Sequence, residues 1–450
     1  VNIQNFKDKL FAKGKEHGFT DMEIYFTRSN NFSVKIFKGE VDDYSVADES
    51  GLAFRGLYKG KMGYSFTEKV DESSIDILVE EAKGNAMIIE DEDEVEIFSG
   101  SPQYSDYDGY NPELENFTAE MKIQFAKKLE EAAFAQDKRV VAVNYCLMAS
   151  GEGEKIISNT KGLEKRAKDN LAYTYLSVVV KDGENIKTGA KFLGSTQIED
   201  FNAEEIAKKA VNEALAMLGA ETVKSKTYPV IFRNDMANSL LATFSSIFSA
   251  ENVQKDLSLL KGKIGEIIAN EKVTLIDDPL MKNGLASTPF DAEGVATYTK
   301  EIISQGRLNT FLHNLKTAKK DRVKSTGNGY KASFKGAVGI APTNMYIKPG
   351  NKTFEELVAT IDEGLVITEV QGLHSGTNTV SGDFSLAAQG FLIEKGKIVR
   401  PVDQITIAGN FYEVLQDIEE VGNDLEFGLP SRGYFGSPSL KIKKIAVSGK

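Results

Sequence analysis

Apolar and polar residues alternate along Met22–Arg28 and Phe32–Phe37, the period-two pattern of half-buried strands. Leu52–Tyr58 and Met62–Phe66 repeat it, and Lys59-Gly60-Lys61 between them supplies a hairpin turn. The period then lengthens. Ile75, Leu78, Val79 and Ala82 form one stripe and predict a helix from about Ser73, with Asp76 in capping-box position. Phe117, Met121, Phe125 and Leu129 stand at helical spacing and predict a second helix over Leu114–Phe134.

The plan then recurs. Val140–Ala149 and Lys155–Ser158 read as strands, and Tyr173–Val180 with Lys187–Gly194 as a hairpin around Asp182-Gly183. A helix follows from about Ala203, capped by Asn202, with Ile206, Ala210, Val211, Ala214 and Leu218 inside. Tyr58–Asn85 and Val180–Met217 are thus hairpin-then-helix units built alike, a pattern that an internal duplication leaves but that the common recurrence of such units also produces. Polar residues between Gly219 and Tyr228, followed by Pro229, place a domain boundary there. Two domains are expected, 1–224 and 225–450.

The second half opens with a strand at Val230–Phe232 and a helix from Asp235 that buries Met236, Leu240, Leu241, Phe244 and Phe248. Hairpins are expected over Thr297–Leu312, across Gln305-Gly306, and over Ala387–Val399, with Lys395-Gly396 as the turn. Between them Thr353 and Glu356 form a capping box ahead of Phe354, Leu357, Val358 and Ile361. Antiparallel hairpins interleaved with helices define an α+β fold, with hairpin-and-helix units first and a strand-rich half after.

Composition narrows the function. The chain has 450 residues, 41% hydrophobic and 27% charged, an ordinary folded composition. A net charge of -12 disfavours a nucleic-acid binder, which needs a cationic surface. With one cysteine, Cys146, no intrachain disulfide forms, and its neighbours Tyr145, Leu147 and Met148 make it a buried structural thiol. A charged opening segment and the lack of any long apolar run point to a cytoplasmic protein without membrane contact.

The three histidines, His17, His313 and His374, share no metal-ligand spacing, so neither a metal nor another cofactor is expected. Ser375 adjoins His374 but lies in no nucleophile elbow. Ser325-Thr326-Gly327-Asn328-Gly329 lacks the lysine of a phosphate loop and reads as turn chemistry. The acidic run 90–96 lacks the glycine of a calcium loop and reads as a solvated linker. Asp291 and Glu293, two residues apart, would project together from an extended segment and could serve acid/base work; carboxylates also bond the backbone of neighbouring turns.

Six segments occur in order in the second half: Pro289-Phe290-Asp291-Ala292-Glu293-Gly294, Lys324-Ser325-Thr326-Gly327-Asn328, Ser381-Gly382-Asp383-Phe384-Ser385, Ala387–Lys397, Ile405–Asn410 and Val421-Gly422-Asn423-Asp424. Together with Phe37-Lys38-Gly39-Glu40-Val41 and Gly51-Leu52-Ala53, they resemble the TldD/PmbA family, historically labelled modulators of DNA gyrase. The resemblance covers nearly the whole chain. It implies two branches: a TldD type, whose His-Glu-x-x-x-His helix and late cysteine hold a metal for peptide hydrolysis, and a PmbA or TldE type without those ligands. Here Ala242, Thr243 and Ile247 occupy the helix positions, and Gly428–Gly436 contains no cysteine.

The resemblance therefore implies a metal-free subunit that pairs with a zinc-bearing TldD-like homologue and helps to enclose unfolded or extended peptides. A homodimer in the partner's absence remains open. Substrate-facing candidates are Asp291, Glu293, Ser325, Thr326, Gly327, Asn328, His374, Ser375, Gly376, Ser381, Gly382 and Asp383. Two other readings stand beside it: a self-sufficient hydrolase using Asp291, Glu293 or Asp383, and a peptide-binding module without a protease partner.

Overall fold

A computed structural model describes residues 2–89 and 96–450. Most of the acidic run thus lies outside the described residues; its last member, Glu96, forms an ion pair with Lys319 at 3.7 Å.

The first half is built on one six-stranded antiparallel sheet in the order β3-β2-β1-β4-β5-β6. Its strands are β1 (Phe19–Phe37), β2 (Glu40–Tyr58), β3 (Lys61–Thr67), β4 (Val140–Asn159), β5 (Glu164–Asp182) and β6 (Asn185–Ser195). Each run of three is a meander followed by helix, and the runs meet where β1 pairs with β4. Lys38-Gly39 and Lys59-Gly60 all have positive φ, which matches the twist of two-residue hairpins.

Two pairs of expected strands prove continuous. Ser29-Asn30-Asn31 looks like a break, yet it pairs with Glu49, Asp48 and Ala47 of β2 and with Gly153, Glu152 and Gly151 of β4. Ladder bonds on both sides hold the polar segment extended where local propensity would let it turn. Ladders to β1 and β5 likewise carry β4 through Gly151 and Gly153.

Helices α1 (Ile3–Glu16) and α2 (Ile75–Ile88) cover one part of a sheet face, and α3 (Ala119–Gln136) and α4 (Ala203–Ala216) the rest. Ile75, Leu78, Val79 and Ala82 are buried as the stripe requires. The cap differs, because a short 3-10 turn precedes α2 and Asp71, not Asp76, accepts from the Ser73 N–H. The second expected helix is also shorter. Pro112–Asn116 forms a 3-10 turn, Thr118 caps α3, and Met121 faces outward while Ala126, Leu129 and Ala133 are buried. Asn202 caps α4 through the N–H groups of Glu204 and Glu205.

The second half holds two further six-stranded sheets. One runs β10 (Arg307–Leu308), β9 (Lys300–Ser304), β8 (Leu275–Asp277), β13 (Asn344–Ile347), β19 (Tyr434–Ser437), β18 (Glu426–Phe427). The other runs β16 (Lys397–Asn410), β15 (Asp383–Glu394), β14 (Glu363–Gln371), β7 (Lys226–Phe232), β20 (Leu440–Ser448), β17 (Ile418–Val421). The pairings are antiparallel except β7–β14 and β13–β19. A small ribbon joins β11 (Gly329–Tyr330) to β12 (Gly339–Ile340).

Helix α5 (Asn234–Phe244) packs on β14, β18 and β19. Phe244 is fully buried, stacked on Phe411 at 4.7 Å and near Phe384 at 6.4 Å. The shorter helices are α6 (Ala250–Gln254), α7 (Leu315–Asp321), α8 (Phe354–Ala359) and α9 (Phe411–Asp417). Both bonds of the Thr353–Glu356 capping box are formed at α8. Among the described residues no helix is long and apolar enough to cross a membrane.

The helix-free face of the first sheet turns toward the second half. Tyr25, Ile157 and Leu163 there bury against Phe290 and Ala292. Arg233, at the start of α5, reaches back to Glu213 of α4 at 2.9 Å.

Candidate functional site

Asp291 and Glu293 sit in a tight turn, not in an extended segment. The Asp291 N–H donates to Val295 O, and Phe290 bridges to Ala296. One Asp291 oxygen accepts from the N–H groups of Glu293 and Val295, at 2.8 and 3.0 Å, and the other from Gly329 at 2.8 Å. Glu293 accepts at 2.7 Å from the N–H of Leu315, the first residue of α7. Both carboxyls are buried. Burial raises the affinity of each for its proton, and at Glu293 the nearby Asp291 raises it further. With three N–H donors on Asp291 and one on Glu293, the proton resides first on Glu293.

This fixes a pH dependence. A carboxyl that holds its proton to higher pH when folded than when unfolded makes folding take up protons between the two values. Its stabilising effect is therefore complete below the ordinary glutamate range and lost as pH rises through the raised one. Glu293→Gln keeps an acceptor for Leu315 and cannot ionise. In urea titrations it should exceed the wild type at about pH 8, by on the order of 1 kcal/mol, and lose that advantage near pH 5. An equal difference at both pH values would refute the assignment.

Ser325, Thr326, Gly327 and Asn328 form the next turn. The Asn328 amide donates to Asp277 at 2.8 Å and to Ala341 O at 3.0 Å. Its oxygen accepts from Thr326 and Lys300. Lys300 pairs with Asp277 at 3.0 Å, with side-chain exposures of 4% and 0%, and the other Asp277 oxygen accepts from the N–H and hydroxyl of Thr343. Thr326 accepts from the His313 N–H, and Ser325 donates to His313 O. This largely buried network borders the cleft described below, and its Asp277, Lys300 and Thr343 carry no local sequence signal: they lie far apart in the chain and in no motif.

His374, Ser375 and Gly376 belong to the loop between β14 and β15. Ser375 and Gly376 donate their N–H groups to Gly372 O, and His374 is exposed. Ser381, Gly382 and Asp383 close that loop. Asp383 accepts from Asn410 at 2.8 Å and Ser381 at 2.7 Å, bonds that lower its pKa.

The structure brings Asp291, Gly327 and Asn328 together on a cleft of about 300 Å³ between the first sheet and the second half. Tyr25, Lys155, Asp169 and Lys331 also line it, none of them singled out by sequence. The 374–383 segment does not contribute to this lining. A second hollow of about 290 Å³ shares Leu171 with the first and is lined by Asn31, Ser33, Ser45, Ser150 and Gly151 together with the aromatic Phe32 and Tyr173.

On α5, Ala242 packs partly against the core. The Thr243 hydroxyl donates to Ser239 O at 2.9 Å, and Ile247, in the turn that follows, is fully buried. A methyl, an occupied hydroxyl and a buried alkyl group do not suit a zinc ion, which takes nitrogen, thiolate or carboxylate donors. Among the described residues no three His, Cys, Asp or Glu side chains gather to hold a metal.

Comparison with known proteins defines the class. Family models described as the PmbA/TldA metallopeptidase domain 1, central domain and C-terminal domain match residues 22–86, 112–218 and 225–449. The chain belongs to the TldD/PmbA family. A solved structure from Thermotoga maritima, described provisionally as a modulator of a DNA gyrase, is 38% identical with a TM-score of 0.92, covering 99% of this chain and 100% of that one. TldE from Thermococcus kodakarensis is 26% identical with a TM-score of 0.91, again over 99% and 100% of the two chains. A metalloprotease TldD homolog of Haemophilus influenzae is 27% identical over 95% of this chain and 92% of its own. Overall identity to a TldE and to a TldD homolog is thus nearly equal.

Proposed function

We propose that this chain is the metal-free, PmbA/TldE-type subunit of a cytoplasmic TldD/TldE-type metallopeptidase complex that degrades unfolded or extended peptides. The observation that carries the reading is the occupancy of α5 and the turn after it: Ala242, Thr243 and Ile247 offer no free donor where the family resemblance places ligands. The subunit contributes enclosure. The sheet face beyond Leu171 presents small polar residues beside Phe32 and Tyr173, a surface along which an extended peptide can lie. The two turns at Asp291 and Asn328 fix the wall opposite.

A self-sufficient carboxylate hydrolase is weakly supported, because three N–H groups hold Asp291 and a helix N-terminus holds Glu293. The acidic net charge argues against nucleic acid as the ligand. The purified chain should retain no stoichiometric zinc after dialysis. Mixed with a TldD-type homologue, it should support chelator-sensitive hydrolysis of an unstructured peptide that this chain alone does not perform. Chelator-resistant cleavage by this chain alone, lost in Asp291→Ala, would overturn the reading.

A further inference from the structure

Three cations meet on the cleft from separate parts of the chain: Lys155 from β4, Lys331 just after β11, and Arg432 from the loop before β19. None makes an ion pair among the described residues. Lys155 donates only to neutral partners, Thr288 Oγ1 at 2.5 Å and Phe290 O at 2.8 Å. Lys331 lies over the Tyr25 ring, 4.8 Å from its centre. Both residues are half-buried, and burial, helped at Lys331 by the nearby Arg55, lowers each to about 8 despite nearby carboxylates. Asp169 and Asp291 share the lining and act on Lys155 from a distance, but no carboxylate among the described residues pairs directly with any of the three cations, in a hollow large enough for a ligand.

We propose that the cleft binds the free C-terminal carboxylate of a peptide, held by Lys331, Lys155 and Arg432, with the preceding residues running past Leu171 over the sheet. Asp169 chooses between anions. It stands on β5 in the same lining, exposed and with no side-chain hydrogen bond among the described residues. A carboxylate there repels a dianion such as phosphate more strongly than the single charge of a peptide end, and it accepts the backbone N–H or the ammonium of a short peptide. The site would thus recognise the chain end of an extended peptide. This inference rests on the peptide-handling reading above and concerns binding, not hydrolysis.

Calorimetry on the full chain with trialanine, its C-terminal amide and inorganic phosphate tests it. Trialanine should bind, and amidation should weaken it by roughly ten-fold or more, since it removes the charge that the cations face. Lys331→Met should reduce trialanine to the affinity of the amide while the thermal midpoint stays near wild type; Arg432→Met, an exposed position, serves if Lys331→Met fails to fold. Equal binding of acid and amide, binding of neither, or phosphate bound in preference to trialanine would each overturn the proposal. Peptide hydrolysis with the homologous partner is read separately. If it persists without acid-over-amide discrimination, only this inference falls; discrimination without hydrolysis would remove the complex and leave the site.

Discussion

Lys300→Met is expected to destabilise the fold by about 3–5 kcal/mol, because it strands a carboxylate from which water is excluded. Asp277 has no exposed side-chain surface, and Lys300 is its only ion-pair partner among the described residues. The methionine fills nearly the same space, so packing is a minor part of the loss. The Asn328 amide and the two Thr343 donors would remain, but they only partly solvate a full charge. Adding Asp277→Asn to Lys300→Met removes that charge and keeps an acceptor for Thr343, so the double variant should recover much of the loss. Urea midpoints of the single and double variants decide the matter. A single-variant loss below about 1 kcal/mol would mean that water reaches the pair.

Phe244→Ala should cost a similar amount, about 3–5 kcal/mol, for a different reason. The ring is fully buried at the end of α5, parallel to Phe411 within 8° and flanked by Phe384. Its removal leaves a void between α5, β15 and α9 that main-chain ladders prevent from collapsing. Phe244→Leu should lose clearly less. Equal losses in both would point to a ring-specific interaction instead of a cavity.

Much of this architecture is legible in the sequence because it depends on neighbours. The Lys59-Gly60 and Lys395-Gly396 hairpins, the Asn202 cap and the Thr353–Glu356 box are decided within a few residues, and the structure forms each. Strand continuity was hidden, since Ser29-Asn30-Asn31 is extended only by partners on β2 and β4. The same limit applies to the site. Asp291 and Asn328 stand out as motif residues, but what surrounds them comes from elsewhere: Asp277 and Lys300 meet across β8 and β9, and Lys155, Lys331 and Arg432 converge from both halves. Ala242, Thr243 and Ile247 are a separate case. What they lack is visible only against a resemblance, and the structure adds that the Thr243 hydroxyl is already engaged.

The β1–β4 ladder also orders events at the ribosome. As the chain emerges, β1 can pair with β2 at once, but its other edge stays bare until residues 147–159 have been made, since the pairing runs from Glu23↔Asn159 to Lys35↔Leu147. Until then the nascent chain carries a long strand with open N–H and C=O groups, a template for unwanted pairing. Residues 22–86, though matched by a family model of their own, are therefore a poor unit for separate expression. Cut off from β4, they would keep that open edge permanently and tend to aggregate, whereas the intact chain can close it once β4 has left the ribosome.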